Sequence, residues 1–318
     1  MRRLLFSFAL AALVIPCMAS RYGSQNMSLN VDDWSDVTSC DQVSVRFDDQ
    51  RAYRAEEMLP TAGLRSLKID SARNGGIHVI GTDASEYSVT ACKAAAMQET
   101  LRDVRASIRG NEVSADGPDA NGWVVFFIVR APHNANLELH STNGPIGLDH
   151  VTGTVTARAV NGPISLKQSS GTMDIDTQNG PINLAGGGGT MKLNAQNGPI
   201  SVKFSGSSWE GNLEAHTQNG PLSLKLPRGF RSGVLVESNG RGPVSCRAEA
   251  CREAKRTWDD EDNRRIELGS GAMVVRLSTV NGPISVRKAT SRASRTADHA
   301  TLSACLVQHA VVCSPSSV

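Results

Sequence analysis

Residues 161–178 read NGPISLKQSSGTMDIDTQ and residues 179–196 read NGPINLAGGGGTMKLNAQ, so one pattern returns after 18 positions. Copies of the Asn-Gly-Pro motif begin at Asn143, Asn161, Asn179, Asn197, Asn219 and Asn281, and a degenerate copy runs from Asn239 to Val244. A short, regular period indicates a structural unit that is too small to bury its own apolar face. The repeats therefore predict units that stack on one another.

Each repeat contains two short segments in which apolar and polar residues alternate, and this period of two predicts two strands. Pro cannot donate to a sheet ladder, and Asn and Gly both tolerate left-handed backbone, so the Asn-Gly-Pro motif is predicted to form the corner between strands. The predicted corner residues are Asn143, Gly144, Asn161, Gly162, Asn179, Gly180, Asn197, Gly198, Asn219, Gly220, Asn281 and Gly282.

Two architectures could use such a unit. In a parallel β-helix each copy lies about 4.8 Å above the last, whereas in an antiparallel meander Asn-Gly would form tight hairpin turns. Alignment of the copies gives an inward column of Ile146, Ile164, Ile182, Ile200, Leu222 and Ile284. The outward columns of the second segment mix both signs of charge, as same-face neighbours should; they are Thr156, Asp174, Lys192, Glu214 and Arg158, Asp176, Asn194, His216. These columns favour a β-helix and an all-β fold.

The first 19 residues have the features of a secretory signal peptide. Arg2 and Arg3 precede an apolar run that is too short to span a bilayer, and a cleavage site ends at Ala19. Lipidation of Cys17 is the alternative reading. We therefore expect an exported protein in the periplasm, on the cell surface or outside the cell, with no transmembrane span after cleavage.

The rest of the chain divides by pattern. We predict a flexible lead-in over residues 20–41, a β-helix over 42–289 and a disordered or loosely docked tail over 290–318. The strict repeats occupy residues 143–288. Residues 247–265 form a charged, exposed insertion, and one short helix is expected around residues 94–105, which contain good helix formers and no Gly or Pro.

Charge and cysteine content exclude some functions. Removal of the signal takes away two of 33 Lys and Arg and none of 31 Asp and Glu, which leaves a net charge near zero. This balance provides no bulk footprint for nucleic acid. Six cysteines remain, an even number that suits disulfides in an oxidising compartment. Their spacing suggests Cys246–Cys251, with Cys40–Cys92 and Cys305–Cys313 as further candidates and free thiols as the alternative.

The Asn-Gly-Pro corners from Asn143 to Pro283, the early Asn74-Gly75-Gly76-Ile77 and the run from Ile266 to Asn281 resemble the putative-adhesin family of exported bacterial proteins. The resemblance covers residues 43–287. It implies a single-stranded, right-handed parallel β-helix and a role in the cell envelope or at the surface, and it supplies no catalytic residues. The insertion with its cysteines and the long tail depart from the family pattern.

Parallel β-helices also host enzymes that act on acidic polysaccharides. Asp149, Asp174 and Asp176 are therefore a candidate acid/base or calcium-binding set. Stacking gives a better account of two of them, because Asp174 and Glu214 flank Lys192 and Asp176 follows Arg158 as rungs of surface ion pairs. The histidines near the repeats lack metal-ligand spacing; they are His133, His140, His150 and His216. We predict no cofactor and no metal site.

The outward positions of the first segment form the candidate binding surface. One column holds Ser165, Asn183, Ser201, Ser223, Ser245 and Ser285, and the next holds Lys167, Ala185, Lys203, Lys225, Arg247 and Arg287. Like charges at strand spacing repel and add no stability. The column is either a set of solvated side chains that deter aggregation or a track for anionic envelope polysaccharide or lipid headgroups. The sequence thus predicts a non-catalytic, adhesin-like binding or structural module, with a carbohydrate-active β-helix enzyme as the alternative.

Overall fold

The structure is a computed structural model that describes residues 27–30, 37–71, 75–119, 122–240, 242–258 and 264–289. The predicted signal peptide, the predicted tail and the candidate Cys305–Cys313 pair lie outside the described residues. Strands dominate the rest and form a 3-stranded, an 11-stranded and a 12-stranded sheet. The fold is therefore all-β with little helix.

The first part of the chain precedes the strict repeats and contains the α-helix. Helix α1 covers Gln98–Asp103. It lies inside the region where one short helix was predicted, and it starts later because Ala94 and Ala95 complete a strand. The strands are β1 Met27–Asn30, β2 Ser44–Phe47, β3 Gln50–Arg51, β4 Tyr53–Leu59, β5 Leu67–Ser71, β6 Ile77–Gly81, β7 Ser88–Ala95, β8 Arg105–Arg109, β9 Glu112–Asp116 and β10 Trp123–Ala131.

The repeats form the regular middle of the molecule. Each repeat contributes a short strand to the 11-stranded sheet and a longer strand to the 12-stranded sheet. Inward side chains from both sheets form one hydrophobic cluster. The strands are β11 Ala135–Ser141, β12 Ile146–Asp149, β13 Thr152–Ala159, β14 Ile164–Lys167, β15 Ser170–Thr177, β16 Ile182–Ala185, β17 Gly188–Ala195, β18 Ile200–Lys203, β19 Leu213–Asn219 and β20 Leu222–Leu226.

Successive repeats pair in parallel and in the predicted register. Ile146 lies opposite Ile164, and Ile164 lies opposite Ile182. The inward column that these residues begin is at most 1% exposed along its whole length. Parallel pairing excludes an antiparallel meander with Asn-Gly hairpins. It also shows that burial of one face fixes the register, since a slip by one residue would turn every apolar side chain outward.

The last coils stack out of chain order. The final strands are β21 Gly233–Ser238, β22 Val244–Cys246, β23 Lys255–Trp258, β24 Arg264–Leu268, β25 Met273–Asn281 and β26 Ile284–Lys288. Strand β26 lies between β20 and β22, and β25 lies between β19 and β21. The sequence columns placed Ser245 and Arg247 before Ser285 and Arg287. The structure reverses that order, because the strand of the last repeat, β26, lies between β20 and the strand of the degenerate repeat, β22.

The charged insertion is in part built into the sheet. Strand β24 pairs antiparallel with β21, and β23 pairs antiparallel with β24. Ile266 and Leu268 on β24 are buried. Both residues follow the predicted insertion of residues 247–265 and cover the end of the core. Inside the insertion Ala248 and Cys251 are buried, and the other described residues are intermediate or exposed. Strand β23 itself is exposed along its length.

The opposite end of the stack has a similar cover. Strand β6 lies between β12 and β10, and antiparallel β7 and β4 follow β10 at the sheet edge. Part of the predicted lead-in is structured here, because β1 joins the three-stranded sheet and Val37 is buried. Val45 and Phe47 pack with Phe126 and Ile128 in a second hydrophobic cluster.

Two of the suggested disulfides are present. Cys40 is bonded to Cys92 on β7, with the two Cα atoms 5.3 Å apart, and this bond ties the three-stranded sheet region to the main stack. Cys246 is bonded to Cys251, with a Cα separation of 5.7 Å. The second bond closes a short loop after β22. Both bonds therefore lie near the ends of the stack, outside the regular repeats.

The two corners of each coil use glycine for different reasons. None of the six glycines of the complete Asn-Gly-Pro corners has a positive φ. At Gly180 a Cβ would instead come within 3.0 Å of the carbonyl oxygen of Gly162 in the neighbouring coil. The left-handed glycines lie at the other corner, where Gly171 has a φ of 118°. The predicted left-handed backbone at Asn-Gly is thus corrected, because close stacking is what demands a glycine there.

Candidate binding surface

The predicted binding residues lie together on the outward side of the 11-stranded sheet. On β14, Ile164 and Leu166 are buried and alternate with the partly exposed Ser165 and Lys167. The same alternation occurs on β18, β20 and β26. Successive strand residues point to opposite faces, so the packing of the apolar column directs all of these polar side chains to solvent. We call Lys167, Lys203, Lys225 and Arg287 the basic stripe.

The register places the basic stripe in one line. Lys167 lies opposite Ala185, which lies opposite Lys203. Lys203 lies opposite Lys225, and Lys225 lies opposite Arg287. Adjacent strands are about 4.8 Å apart. Lys203, Lys225 and Arg287 therefore form an uninterrupted run, and Lys167 stands apart from it by one intervening strand.

A column of small polar side chains runs beside the basic stripe. Its order along the sheet is Ser165, Asn183, Ser201, Ser223, Ser285 and Ser245, and Gly147 continues the column beyond Ser165 without a side chain. The predicted members are all present, with the last two exchanged by the stacking order described above. Hydroxyl and amide groups can both donate and accept hydrogen bonds. They give the surface beside the cations the capacity to bind neutral polar groups.

The two ends of the basic stripe differ in their acidic neighbours. Within the part of the chain that the structure describes, Lys203, Lys225 and Arg287 have no carboxylate within 4.0 Å. At the other end, Asp149 lies opposite Lys167. Its carboxylate accepts a hydrogen bond from Nδ1 of His150 at 2.7 Å. The sequence columns omitted Asp149, although its place one repeat before Lys167 could have revealed it.

The strand between Lys167 and Lys203 bears a depression. Ala185 and Gly186 contribute little or no side chain at this point, and a space of about 470 Å³ opens above them. Lys167 and Lys203 stand on either side, and Gln168 and Asn183 also line the space. The sequence interpretation treated Ala185 only as a break in the charge. The structure shows that the break is concave.

The outward side of the 12-stranded sheet is electrostatically different. Asp174, Lys192, Glu214 and Arg276 lie in register there. The predicted rungs are corrected in detail, because no carboxylate of a described residue lies within 4.0 Å of Lys192. The close pair is the diagonal one, in which Nη2 of Arg158 donates to Oδ2 of Asp174 at 2.6 Å. The predicted pair of Arg158 with Asp176 is therefore not formed.

The structure separates the candidate acid set. Asp149 lies on β12 in the 11-stranded sheet, whereas Asp174 and Asp176 lie on β15 in the 12-stranded sheet. Since inward side chains of the two sheets meet in the core and these carboxylates point outward, Asp149 cannot act together with the other two. Asp174 is also engaged by Arg158. The three carboxylates do not form one catalytic or calcium-binding group.

Residues 130–287 match the family model named Toastrack DUF4097. This region is a Toastrack DUF4097 domain. It contains all the Asn-Gly-Pro corners and the whole basic stripe, while the earlier residues of the resemblance lie outside the match. No curated protein matches the sequence.

Two solved structures resemble the chain at low identity. One is a putative cell adhesion protein from Clostridium sporogenes ATCC 15579, with 9% identity, a TM-score of 0.28 and coverage of 75% of this chain and 100% of that chain. The other is a putative adhesin from Bacteroides fragilis NCTC 9343, with 10% identity, a TM-score of 0.34 and coverage of 75% and 97%. Similarity at this level does not bear on function.

The asparagines of the Toastrack corners form a ladder of side-chain hydrogen bonds. Nδ2 of each asparagine donates to Oδ1 of the asparagine in the adjacent coil, as in the 2.9 Å bond from Asn179 to Asn161. The remaining bonds measure 2.8 to 3.0 Å and join Asn161 to Asn143, Asn197 to Asn179, Asn219 to Asn197 and Asn281 to Asn219. The corner asparagines were predicted as structural residues, but the sequence analysis did not foresee this side-chain ladder, although their fixed spacing could have indicated it.

Hydroxyl groups support the same corner from inside the Toastrack core. Oγ1 of Thr217 donates to the carbonyl oxygen of Gly198 at 2.8 Å, and Thr279 donates to Gly220 at 3.1 Å. Thr177 donates to Gly162 at 3.3 Å. These threonines are fully buried. These bonds give a hydrogen-bond donor to corner carbonyl groups, since buried polar groups need hydrogen-bond partners.

The histidines near the repeats are dispersed over the surface. His133 contacts Asp83 at 2.8 Å, His140 contacts Asp70 at 3.3 Å, and His216 contacts the hydroxyl of Ser278 at 2.8 Å. No three His, Cys, Asp or Glu side chains are arranged to hold a metal ion among the described residues. Each histidine thus has a separate local partner.

The phenol of Tyr87, which lies outside the basic stripe, has a shifted pKa. Burial raises the pKa of the Tyr87 phenol, and its hydrogen bond with the backbone of Asn136 opposes the rise. The hydroxyl accepts from the Asn136 N–H at 2.9 Å. Tyr87 therefore stays protonated and anchors the start of β11 through Asn136. Over the described ranges, no helix is long and apolar enough to cross a membrane.

Proposed function

We propose that this protein is an exported, non-catalytic, adhesin-like module of the bacterial cell envelope that binds an anionic polysaccharide through its basic stripe. The observation that carries the proposal is the run of Lys203, Lys225 and Arg287 in register on an exposed sheet face. Positive side chains on strands about 4.8 Å apart repel one another. A bound polyanion would relieve that repulsion and would be attracted by the local field.

The architecture suits a linear polymer. We infer that the coils follow a single-stranded, right-handed β-helix, so that equivalent side chains repeat along one axis. The column beginning at Ser165 then runs parallel to the basic stripe. A polysaccharide lying along the axis would meet cations on one side and hydroxyl and amide groups on the other, which match its acidic groups and its sugar hydroxyls.

Export is supported by the cysteines. The Cys40–Cys92 and Cys246–Cys251 bonds suit an oxidising compartment, and residues 1–19 carry the signal-like pattern described above. The periplasm, the cell surface and the extracellular space all meet this condition. The anionic surface in each of them would include polysaccharide, and lipid headgroups provide a second source of the same charge.

The test is retention of residues 20–318 on immobilised polygalacturonate, with neutral dextran as the comparison surface. We expect retention on polygalacturonate that weakens with salt, since charges separated by more than about 8 Å are screened at 0.15 M ionic strength. The triple variant Lys167→Gln, Lys203→Gln, Lys225→Gln should reduce retention by about tenfold or more. Its thermal unfolding temperature should not fall.

A matched variant separates the stripe from overall charge. Lys68→Gln, Lys192→Gln and Arg276→Gln remove three positive charges from the outward side of the 12-stranded sheet. This variant should retain the parent's binding. If the stripe variant and the parent were retained equally, the basic stripe would be solvated surface with no binding role. Retention on phosphatidylglycerol vesicles but not on polygalacturonate would replace the polysaccharide by lipid headgroups.

A further inference from the structure

The depression over Ala185 and Gly186 has the features of a site for one unit of the polymer, an inference that rests on the proposed function. We call it the Ala185 notch, lined by Lys167, Gln168, Asn183, Ala185, Gly186 and Lys203. Its volume of about 470 Å³ falls in the range of roughly 300–1,000 Å³ that is usual for small-molecule sites.

Two cations flank the notch at a suitable separation. Lys167 and Lys203 are two strand spacings apart, which is roughly 10 Å between backbones. Each lysine has a long, flexible stem with three donors on its ammonium group. Both ammonium groups can therefore reach one anionic group seated above Ala185. Any longer side chain at Ala185 would occupy that position.

Two side-chain amides also line the notch. Gly186 has a φ of 72°, and a Cβ built on it would lie 2.6 Å from both Nε2 and Oε1 of Gln168. The missing side chain at Gly186 thus lets the Gln168 amide lie down at the edge of the notch. Asn183 is exposed two residues before Ala185 on the same strand. Amides bind neutral hydroxyl groups, which an inorganic anion lacks and a sugar carries.

We propose that the Ala185 notch binds one anionic sugar residue, with its carboxylate or phosphate between Lys167 and Lys203 and its hydroxyl groups toward Asn183 and Gln168. On this proposal Ala185 is the floor of a subsite. On a charge-density account it is merely a gap. The two accounts give opposite results when a lysine replaces Ala185.

The experiment compares the parent with Ala185→Lys and Ala185→Gln in titrations with a galacturonate tetramer and with a sugar-phosphate oligomer of the same length. Both variants should lose at least about tenfold in affinity for the preferred oligomer, although Ala185→Lys adds a positive charge. Preference for the tetramer assigns a carboxylate, and preference for the phosphate oligomer assigns a phosphate. Thr190→Lys adds the same charge to the outward side of the other sheet and should leave the affinity unchanged.

Several outcomes would overturn the notch while the proposed function stands. They are tighter oligomer binding by Ala185→Lys, unchanged binding by Ala185→Gln, or a parent that retains the polymer and ignores both oligomers. A parent that neither retains the polymer nor binds an oligomer would overturn both proposals. Thermal unfolding of each variant checks that the fold is intact, and the two replacements differ in charge, so a shared loss reflects filled space.

Discussion

The outward sides of the two large sheets use charge in opposite ways. Along the 12-stranded sheet, one column holds Lys68, Glu138, Thr156, Asp174, Lys192, Glu214 and Arg276, and the charged residues that lie directly opposite each other in it have opposite signs. Along the 11-stranded sheet, Lys203, Lys225 and Arg287 have the same sign. Mixed signs are what stability alone favours for cross-strand neighbours. The like charges of the basic stripe therefore add no stability to the fold, and this is why we propose a binding role for them.

We expect the largest effect on stability from disrupting the close stacking of coils at the Asn-Gly-Pro corner, because both sheets depend on that stacking. Gly180→Val would push a side chain into the carbonyl oxygen of Gly162. Overpacking of this kind costs about 3 kcal/mol when neither backbone can move aside. We expect the variant to lose thermal stability and retention together, whereas the triple lysine variant should lose only retention.

A glycine with open surroundings provides the control for that change. Gly206 has no positive φ, and a Cβ built on it would lie at an ordinary contact distance of 3.5 Å from the carbonyl oxygen of Ser208. Gly206→Val should shift stability by no more than about 0.5 kcal/mol. A Gly180→Val melting temperature equal to that of Gly206→Val would show that neighbouring coils separate easily at this corner.

The repeating columns could be predicted because burial fixes them. Ile164 and Leu166 must both point inward, and this determines that Ser165 and Lys167 point outward. The Cys40–Cys92 pair was also among the suggested connectivities, and it formed. Neither inference needed a distance.

Other features depend on packing that a one-dimensional pattern does not contain. Val244 and Ile284 both follow an Asn-Gly motif, and only the pairing partners decide that Ile284 lies next to Leu222. The Arg158–Asp174 contact is diagonal and depends on side-chain conformation. The Ala185 notch arises from missing side chains, which appear in a sequence column only as a gap.

A second, smaller effect tests the mixed-sign face. Asp174→Asn should destabilise the fold by about 0.5–1 kcal/mol, because it removes the partly exposed ion pair with Arg158. The free energy of unfolding, measured with urea at low and high salt, should show that the loss shrinks as salt increases. Asp176→Asn is the matched change, since no basic group of a described residue lies within 4.0 Å of Asp176. If both variants lost equal stability, the Arg158 contact would contribute nothing.

The smallest effect compares the two faces most directly. Removing one charge should lower the free energy of unfolding on the mixed-sign face and raise it on the basic stripe. Lys225 lies between Lys203 and Arg287 in the column, so Lys225→Gln removes two repulsive contacts. We expect the free energy of unfolding to rise by about 0.2–0.5 kcal/mol at low salt, the usual scale for exposed charge pairs. The gain should vanish near 1 M salt, where the screening length is about 3 Å. A loss of stability in Lys225→Gln would mean that the fold itself benefits from this lysine, for example through packing of its stem, and the argument for an external anion would lose its main support.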